Sequence, residues 1–98
     1  MIRVQLPPPL RALARINGEI TLTVHGPATI GAVIDAIELR YPMLAGTIRE
    51  HGTGKRRAYI RYFACSRDLS HDPFSSPVPE EVAAGKEPFI VLGAISGG

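Results

Sequence analysis

The beginning of the chain alternates between apolar and polar residues with a period of two. Ile2, Val4 and Leu6 alternate with Arg3 and Gln5. This spacing predicts a β-strand with one buried face. Three consecutive prolines follow, and because proline has no N–H to donate to a sheet, we expect the strand to stop there.

A second alternating segment follows a turn signal. Asn17-Gly18 is a pair typical of tight turns, and apolar residues occupy every second position from Ile20 to Val24. The pattern predicts a second strand that runs antiparallel to the first. Between the prolines and the turn, the apolar residues of the segment 10–14 have the spacing of one short helical turn.

The centre of the chain changes to helical periodicity. Four apolar residues fall on one stripe of a helix, namely Ile30, Val33, Ile34 and Ile37. Thr29 stands where its hydroxyl can accept a hydrogen bond from a free N–H of the first turn. Pro42 disfavours helical geometry at Tyr41, so we expect the helix to end there. A short second helical turn is predicted within residues 43–48.

The last third of the chain contains two predicted strands separated by a long loop. Residues 58–64 are rich in aromatic and β-branched residues, with Ile60 and Tyr62 on one face. Residues 66–88 hold four prolines and many polar residues, which predicts a loop with one turn of helix near residues 80–84. Residues 89–92 are apolar throughout, which predicts a central strand covered on both faces.

The order of these elements predicts an α+β fold. One long helix has to cover the buried face of a mixed sheet, and that arrangement is the ubiquitin-like β-grasp. We expect residues 1–93 to form the β-grasp domain. Residues 94–98 are expected to form a flexible C-terminal tail that ends in Gly97 and Gly98.

Composition and charge restrict the class of protein. The 98 residues, 45% hydrophobic and 20% charged, fit one globular domain. A single cysteine excludes an internal disulfide, and a net charge of +2 is small for a dedicated nucleic-acid binder. No segment approaches the roughly 18–20 apolar residues of a membrane helix, and the start has no signal-peptide run. We therefore expect a cytoplasmic protein that binds neither nucleic acid nor membrane.

Few side chains have the spacing that catalysis or metal binding needs. His25, His51 and His71 have no ligand spacing with one another or with Cys65, so we predict no metal site. Cys65 has no histidine near it in the sequence, which is more typical of a packed or half-exposed cysteine than of a nucleophile. The segment 52–55 matches only part of a phosphate-binding loop.

A short basic run leaves three interpretations open. Lys55-Arg56-Arg57 precedes Tyr59, Tyr62 and Phe63. Basic residues beside aromatic ones can bind single-stranded RNA. The same positive charges can also bind a partner protein with an acidic surface. Three adjacent charges in a loop are more often simply solvated.

The C-terminus carries the most specific pattern. The chain ends Ile95-Ser96-Gly97-Gly98, shortly after a strand that we predict to be central. Glycine has no Cβ and accepts backbone angles closed to other residues, so a terminal pair can enter a narrow channel. The alternative is an ordinary frayed terminus.

Three short segments together resemble a known family. They are Leu10-Arg11, the helix end Arg40-Tyr41-Pro42 and the terminal Ala94-Ile-Ser-Gly-Gly. With the order of elements, they resemble the MoaD/ThiS family of ubiquitin-like sulfur carriers, and its MoaD side more closely, over nearly the whole chain. The three prolines depart from the aromatic residues usual at their position, and the segment 66–88 is longer than the usual turn.

The resemblance implies a carrier that has no catalytic side chains and binds no cofactor. A ubiquitin-activating-type adenylyltransferase, MoeB-like or ThiF-like, would use ATP to adenylate the Gly98 carboxylate. A persulfide sulfur would then displace AMP and leave a thiocarboxylate. Gly97 would share the active position, while Ala94, Ile95 and Ser96 would contact the partner.

The destination of the sulfur stays open at this level. The MoaD-like branch implies a molybdopterin precursor, with a MoaE-like molybdopterin synthase large subunit as partner. The other branches of the family imply thiamine thiazole or cysteine synthesis. A β-grasp module that only binds other proteins, through its apolar sheet or tail, is the alternative from a different class.

Overall fold

Five strands form one sheet, and the longest of three helices packs against it. The computed structural model describes residues 1–93. In chain order the helices and strands are β1 (Ile2–Gln5), α1 (Pro8–Ala14), β2 (Ile20–Leu22), α2 (Ile30–Arg40), β3 (Ile60–Ala64), β4 (Arg67–Asp68), α3 (Glu80–Ala83) and β5 (Phe89–Gly93). A 3-10 turn at Pro42–Leu44 follows α2.

The sheet is mixed, and β5 is its middle strand. The strand order is β2-β1-β5-β3-β4. β1 pairs antiparallel with β2 and parallel with β5, where Val4 lies opposite Phe89. β3 runs antiparallel to both of its neighbours, β4 and β5. The predicted antiparallel pairing of the first two strands and the predicted central position of the last one are both confirmed.

Helix α2 supplies the layer that covers the sheet. The Thr29 hydroxyl accepts a hydrogen bond from the Ala32 N–H at 3.0 Å, so the predicted cap is present. The helix ends at Arg40, next to the proline. Its whole apolar stripe is buried, as is the facing side of the sheet, whose residues are Ile2, Val4, Ile20, Leu22, Ile60, Tyr62, Ala64, Phe89 and Val91. The predicted α+β, ubiquitin-like β-grasp architecture is confirmed.

Helix α1 begins earlier than the sequence pattern predicts. The prediction placed one helical turn in residues 10–14, yet the helix starts at Pro8, directly after Pro7 as its cap. Proline is tolerated at the first helical positions, because the N–H groups there have no partner within the helix. The N–H groups of Leu10 and Arg11 both donate to the Pro7 carbonyl oxygen at 3.0 Å. The prolines therefore end β1 and also begin α1.

The expectation that β5 is covered on both faces is wrong. Phe89 and Val91 point into the core, but the Leu92 side chain on the other face is 44% exposed and Ile90 is half-buried. The sequence pattern of an unbroken apolar run is the same whether the domain covers the second face of the strand or that face is exposed to solvent. β5 is therefore a central strand with one partly exposed apolar face.

The segment 66–88 packs against the start of α2. The Gly31 N–H donates to the Phe74 carbonyl at 2.9 Å, and the Ile30 N–H donates to the Ser76 carbonyl at 3.0 Å. α3 lies at the predicted helical turn, whereas the two-residue β4 was not predicted. The segment supplies hydrogen-bond acceptors to first-turn N–H groups of α2 that the helix itself leaves free.

Candidate functional site at the end of β5

The residues predicted to carry the chemistry follow β5 directly. Gly97 and Gly98, with the predicted partner-contacting residues Ala94, Ile95 and Ser96, lie outside the described residues. Their roles and the predicted flexibility of the tail therefore stay predictions. The structure locates the base from which the tail extends.

That base is held by β3, and the start of β5 is paired on both edges. On one edge of β5, Gly93 lies opposite Ile60 and Leu92 lies opposite Arg61 of β3. On the other edge, β5 pairs in parallel with β1. Since Gly93 pairs with the buried Ile60, its position is fixed relative to the core.

The uncovered face of the sheet carries an apolar strip along β5. Ile90 and Leu92 lie on this face, and the half-buried Phe63 of β3 lies opposite Ile90. Gln5 borders Ile90 on the β1 side, and Arg61 borders Leu92 on the β3 side. Sequence reasoning missed this strip, although the alternation of Phe89 and Val91 with these residues contains the signal.

A polar network fixes the segment that leads into β5. Arg3 Nε donates to Glu19 Oε1 at 2.7 Å, and Arg3 Nη1 donates to the Lys86 carbonyl at 3.0 Å. Gln5 Nε2 donates to Glu19 Oε2 at 3.1 Å. The hydrogen bond from Arg3, and next that from Gln5, hold the pKa of the Glu19 carboxyl below its usual value. Arg3, Gln5 and Glu19 therefore bind one another, and Arg3 also binds the backbone of the segment before β5. This network ties β1 and the start of β2 to that segment.

The environment of Cys65 disfavours a thiolate. The thiol is half-buried, and its Sγ lies 4.0 Å from Glu81 Oε1. Desolvation raises the pKa of the Cys65 thiol, and the negative charges of Glu81 and Glu87 raise it further. Reactive cysteines need the opposite, electropositive environment. The structure therefore favours the interpretation of Cys65 as a structural residue.

Two of the three basic residues in the run 55–57 support the loop before β3. Arg56 Nε donates to the Ser70 carbonyl at 2.9 Å, and its Nη1 donates to the carbonyls of Arg57 and Ile60. Arg57 Nε donates to the Gly46 carbonyl at 2.7 Å. Their hydrogen bonds within the domain reduce the number of N–H donors available to RNA at this surface.

The described part of the chain offers no alternative centre of metal chemistry. Within residues 1–93, no three His, Cys, Asp or Glu side chains lie close enough together to hold a metal ion. The same stretch has no helix with the length and apolar composition needed to span a bilayer. The base of the tail is thus the site to compare with other proteins.

Comparison with known proteins shows similarity at the level of structure. No family model matches this chain, and no curated protein matches it either. SAMP1 from Haloferax volcanii superposes with a TM-score of 0.75 at 20% identity, covering 98% of this chain and 97% of SAMP1. A chain of the Amycolatopsis orientalis BexX/CysO complex gives 0.76 at 18% identity, covering all of both chains.

A third solved structure has the same fold. CysO of Mycobacterium tuberculosis superposes with a TM-score of 0.75 at 18% identity, covering 97% of this chain and all of CysO. In all three cases the superposition extends over nearly the full length of both chains. This chain is therefore a β-grasp protein with the fold of SAMP1 and CysO.

Proposed function

We propose that this chain is a ubiquitin-like sulfur carrier that acts through a thiocarboxylate on Gly98. The observation that carries the proposal is the placement of the terminal Gly-Gly pair. It follows, within five residues, a central strand that is fixed on both edges. The shared fold with SAMP1 and CysO supports it.

The proposed reaction uses the terminal carboxylate as the reacting group. A Gly98 carboxylate oxygen attacks the α-phosphorus of ATP, pyrophosphate leaves, and an acyl-adenylate forms. The terminal sulfur of a persulfide then attacks the carbonyl carbon and displaces AMP. Cleavage of the resulting acyl disulfide by a thiol leaves the thiocarboxylate on Gly98 and a disulfide on the other product. Gly97 and Gly98 suit this chemistry because neither has a side chain to obstruct the phosphate or the sulfur.

The partner supplies the catalytic groups in this proposal. Within residues 1–93, the one thiol lies beside a carboxylate, and Arg56 and Arg57 bind backbone carbonyls. We infer a MoeB-like or ThiF-like adenylyltransferase that binds the ATP. CysO has been crystallised in complex with BexX, which supports a mode of action through a protein partner.

Two sulfur acceptors follow from different observations. The resemblance of the sequence to MoaD implies a molybdopterin precursor and a MoaE-like partner. The structural similarity to two CysO proteins favours cysteine synthesis. Incubating the thiocarboxylated chain with a MoaE-like subunit and, separately, with a cysteine-forming enzyme will separate these two acceptors, because sulfur disappears from Gly98 only with the right one.

The test of the carrier function is the intact mass of the purified protein. After co-expression with an activating enzyme encoded in the same genome, the mass should increase by the replacement of one oxygen by one sulfur. A variant that lacks Gly98 should show no increase. An unmodified wild-type chain, under conditions where a known carrier is modified by its own enzyme, would contradict the proposal.

A second candidate function is a protein-binding module without sulfur chemistry. The observation that favours it is the partly exposed apolar strip of Ile90 and Leu92 on the uncovered face of the sheet. Two residues appended after Gly98 separate the two functions. A binding module keeps its activity with this extension, whereas a carrier loses it because the reacting carboxylate is no longer on glycine.

A further inference from the structure

A small groove lies at the point where the tail leaves β5. We call it the tail groove and define it by the residues that line its walls, which are Pro7, Pro9, Leu10, Thr47, Tyr59, Ile60 and Gly93. Its volume is about 190 Å³. Since a water molecule takes about 30 Å³ of liquid, the tail groove has room for one apolar side chain of moderate size.

The tail groove is apolar to an unusual degree for this surface. No charged residue lines it, whereas four other grooves on the described surface each include at least one arginine. Thr47 contributes a hydroxyl, but that hydroxyl already donates to the Leu44 carbonyl at 2.6 Å. An apolar group placed here loses water without leaving a charge unpaired.

Its walls combine fixed and accessible residues. Of the residues that line the tail groove, Ile60 is almost completely buried at the start of β3, and Gly93 is held in the sheet opposite Ile60. Tyr59 on the rim is 51% exposed, and Pro9 is exposed on α1. The tail groove is therefore preformed and reachable from solvent.

The length of the tail places any activating enzyme next to this groove. Five residues run from Ala94 to Gly98, and fully extended they span at most about 18 Å. An enzyme that brings ATP to Gly98 has to surround a chain of that length. The mouth of its channel then lies against the end of β5, where the tail groove opens.

We propose that the tail groove receives an apolar side chain which the activating enzyme presents at the mouth of its channel. The inference rests on the proposed carrier function. Ile95 of the chain's own tail is the competing occupant, because two residues can span the distance from Gly93. Self-docking would order the tail at an entropic cost similar in size to the gain from burying one isoleucine. A side chain already fixed on an enzyme surface does not carry that cost.

The test compares two charged substitutions of equally exposed residues. Tyr59→Glu places a carboxylate on the rim of the tail groove. Leu13→Glu places one on α1 outside it, and the Leu13 side chain is also 51% exposed. With the activating enzyme that modifies the wild-type chain, pyrophosphate release is measured against carrier concentration. We expect Tyr59→Glu to raise KM for the carrier at least about tenfold, with kcat within about twofold. Leu13→Glu should leave both constants within about twofold of wild type.

A second variant protects the test from a folding defect. Pro9→Glu alters the opposite wall at an exposed position in the first turn of α1, where a negative charge is tolerated. It should raise KM in the same way while the circular dichroism spectrum stays unchanged. If both Tyr59→Glu and Pro9→Glu are folded and keep the wild-type KM, the inference is overturned and the carrier function stands.

Two further outcomes would also overturn the inference. If the wild-type chain is not modified at all, the carrier function fails and the inference fails with it. If Ile95→Asp in the free, ¹⁵N-labelled protein shifts the amide resonances of Thr47, Tyr59 and Ile60, the chain's own tail occupies the groove. Unchanged resonances, together with the KM effect, support the enzyme as the occupant.

Discussion

Arg56 shows how a charged residue can act as a structural anchor in this fold. Its guanidinium donates to three backbone carbonyls, those of Arg57 in the loop before β3, Ile60 at the start of β3 and Ser70 after β4. Carbonyl groups at the edge of a core need partners. One side chain thereby joins the loop before β3 to the segment after β4.

Replacing Arg56 should therefore cost much more stability than replacing its neighbour. We expect Arg56→Met to lower the free energy of unfolding by about 2–3 kcal/mol, because partly buried carbonyls lose charged donors. Lys55→Met removes the same charge at an exposed position and should change it by less than about 0.5 kcal/mol. Urea unfolding of both variants measures the difference. Equal effects would show that the hydrogen bonds of Arg56 contribute nothing specific.

Tyr62 presents the opposite case, a buried polar group without a partner. Its ring packs on that of Phe89 with centroids 5.6 Å apart, and no residue in the range 1–93 forms a hydrogen bond with its buried hydroxyl. Burial raises the pKa of Tyr62 to about 12. Since the unfolded tyrosine has a pKa of about 10, the unfolded state releases its proton first, and stability falls between these two pH values.

Tyr62→Phe should remove this alkaline loss. At pH 7 we expect the variant to be as stable as the wild type within about 1 kcal/mol, since no hydrogen bond is lost. Between pH 10 and 12 its stability should fall less steeply than that of the wild type. Unfolding by urea at pH 7, 10 and 11 tests both statements. A large loss at pH 7 would mean that the hydroxyl has a partner in solution.

The turn between β3 and β4 has an unfavourable sequence. Cys65 and Ser66 have φ values of 52° and 62°, which belong to the left-handed region. A two-residue turn of this kind favours glycine or asparagine, because a Cβ is disfavoured there. The hairpin β3–β4 thus forms in spite of its local residues, and packing of the neighbouring Leu69 in the core compensates.

Ser66→Gly should stabilise the domain. Relief of the left-handed strain is worth about 1 kcal/mol or more, and the greater freedom of glycine in the unfolded chain offsets about half of it. We expect a gain of about 0.5 kcal/mol in the free energy of unfolding. Ser75→Gly is the matched control, because Ser75 is also exposed and has no positive φ, so it should lose stability. A loss in both variants would contradict the turn argument.

The elements that could be predicted are those whose sequence pattern is compatible with only one secondary structure and one buried face. The capped stripe of α2 and the alternating β1 and β2 are examples, because spacing alone fixes which face is buried. The start of α1 was missed because a proline that ends a strand is also tolerated at the start of a helix. For β5 the sequence cannot distinguish a covered second face from an apolar surface such as Leu92. β4 has two residues, too few for any periodicity.

The proposed carrier function assigns separate roles to the body, residues 1–93, and to the residues that follow it. Every buried residue of the described core lies within residues 2–91, and β5 fixes Gly93. The candidate chemistry at Gly98 can be inferred from the sequence because it depends on residue type at one position, and it stays a prediction because Gly98 lies outside the described residues. The tail groove could not be predicted from the sequence, because α1, the segment around Thr47 and the start of β3 meet only in the folded chain.

If the proposed carrier function is right, deleting Gly98 should abolish sulfur transfer without changing stability. The expected shift in the free energy of unfolding is less than about 0.5 kcal/mol, while thiocarboxylate formation by the activating enzyme is lost. Thermal unfolding and intact mass measure the two effects on one preparation. Gly52→Ala, in an open loop with a positive φ of 77°, is the converse control, because it should reduce stability and leave sulfur loading intact.

The parallel pairing of β1 and β5 also has a mechanical consequence. The first and last strands of the described chain lie side by side and point in the same direction. A force that stretches the molecule between Met1 and Gly93 therefore loads their hydrogen bonds in shear, all at once, instead of opening them one after another. A partner that pulls on the residues after Gly93 would therefore load the β1–β5 pairing in shear, the direction in which a sheet resists force most strongly.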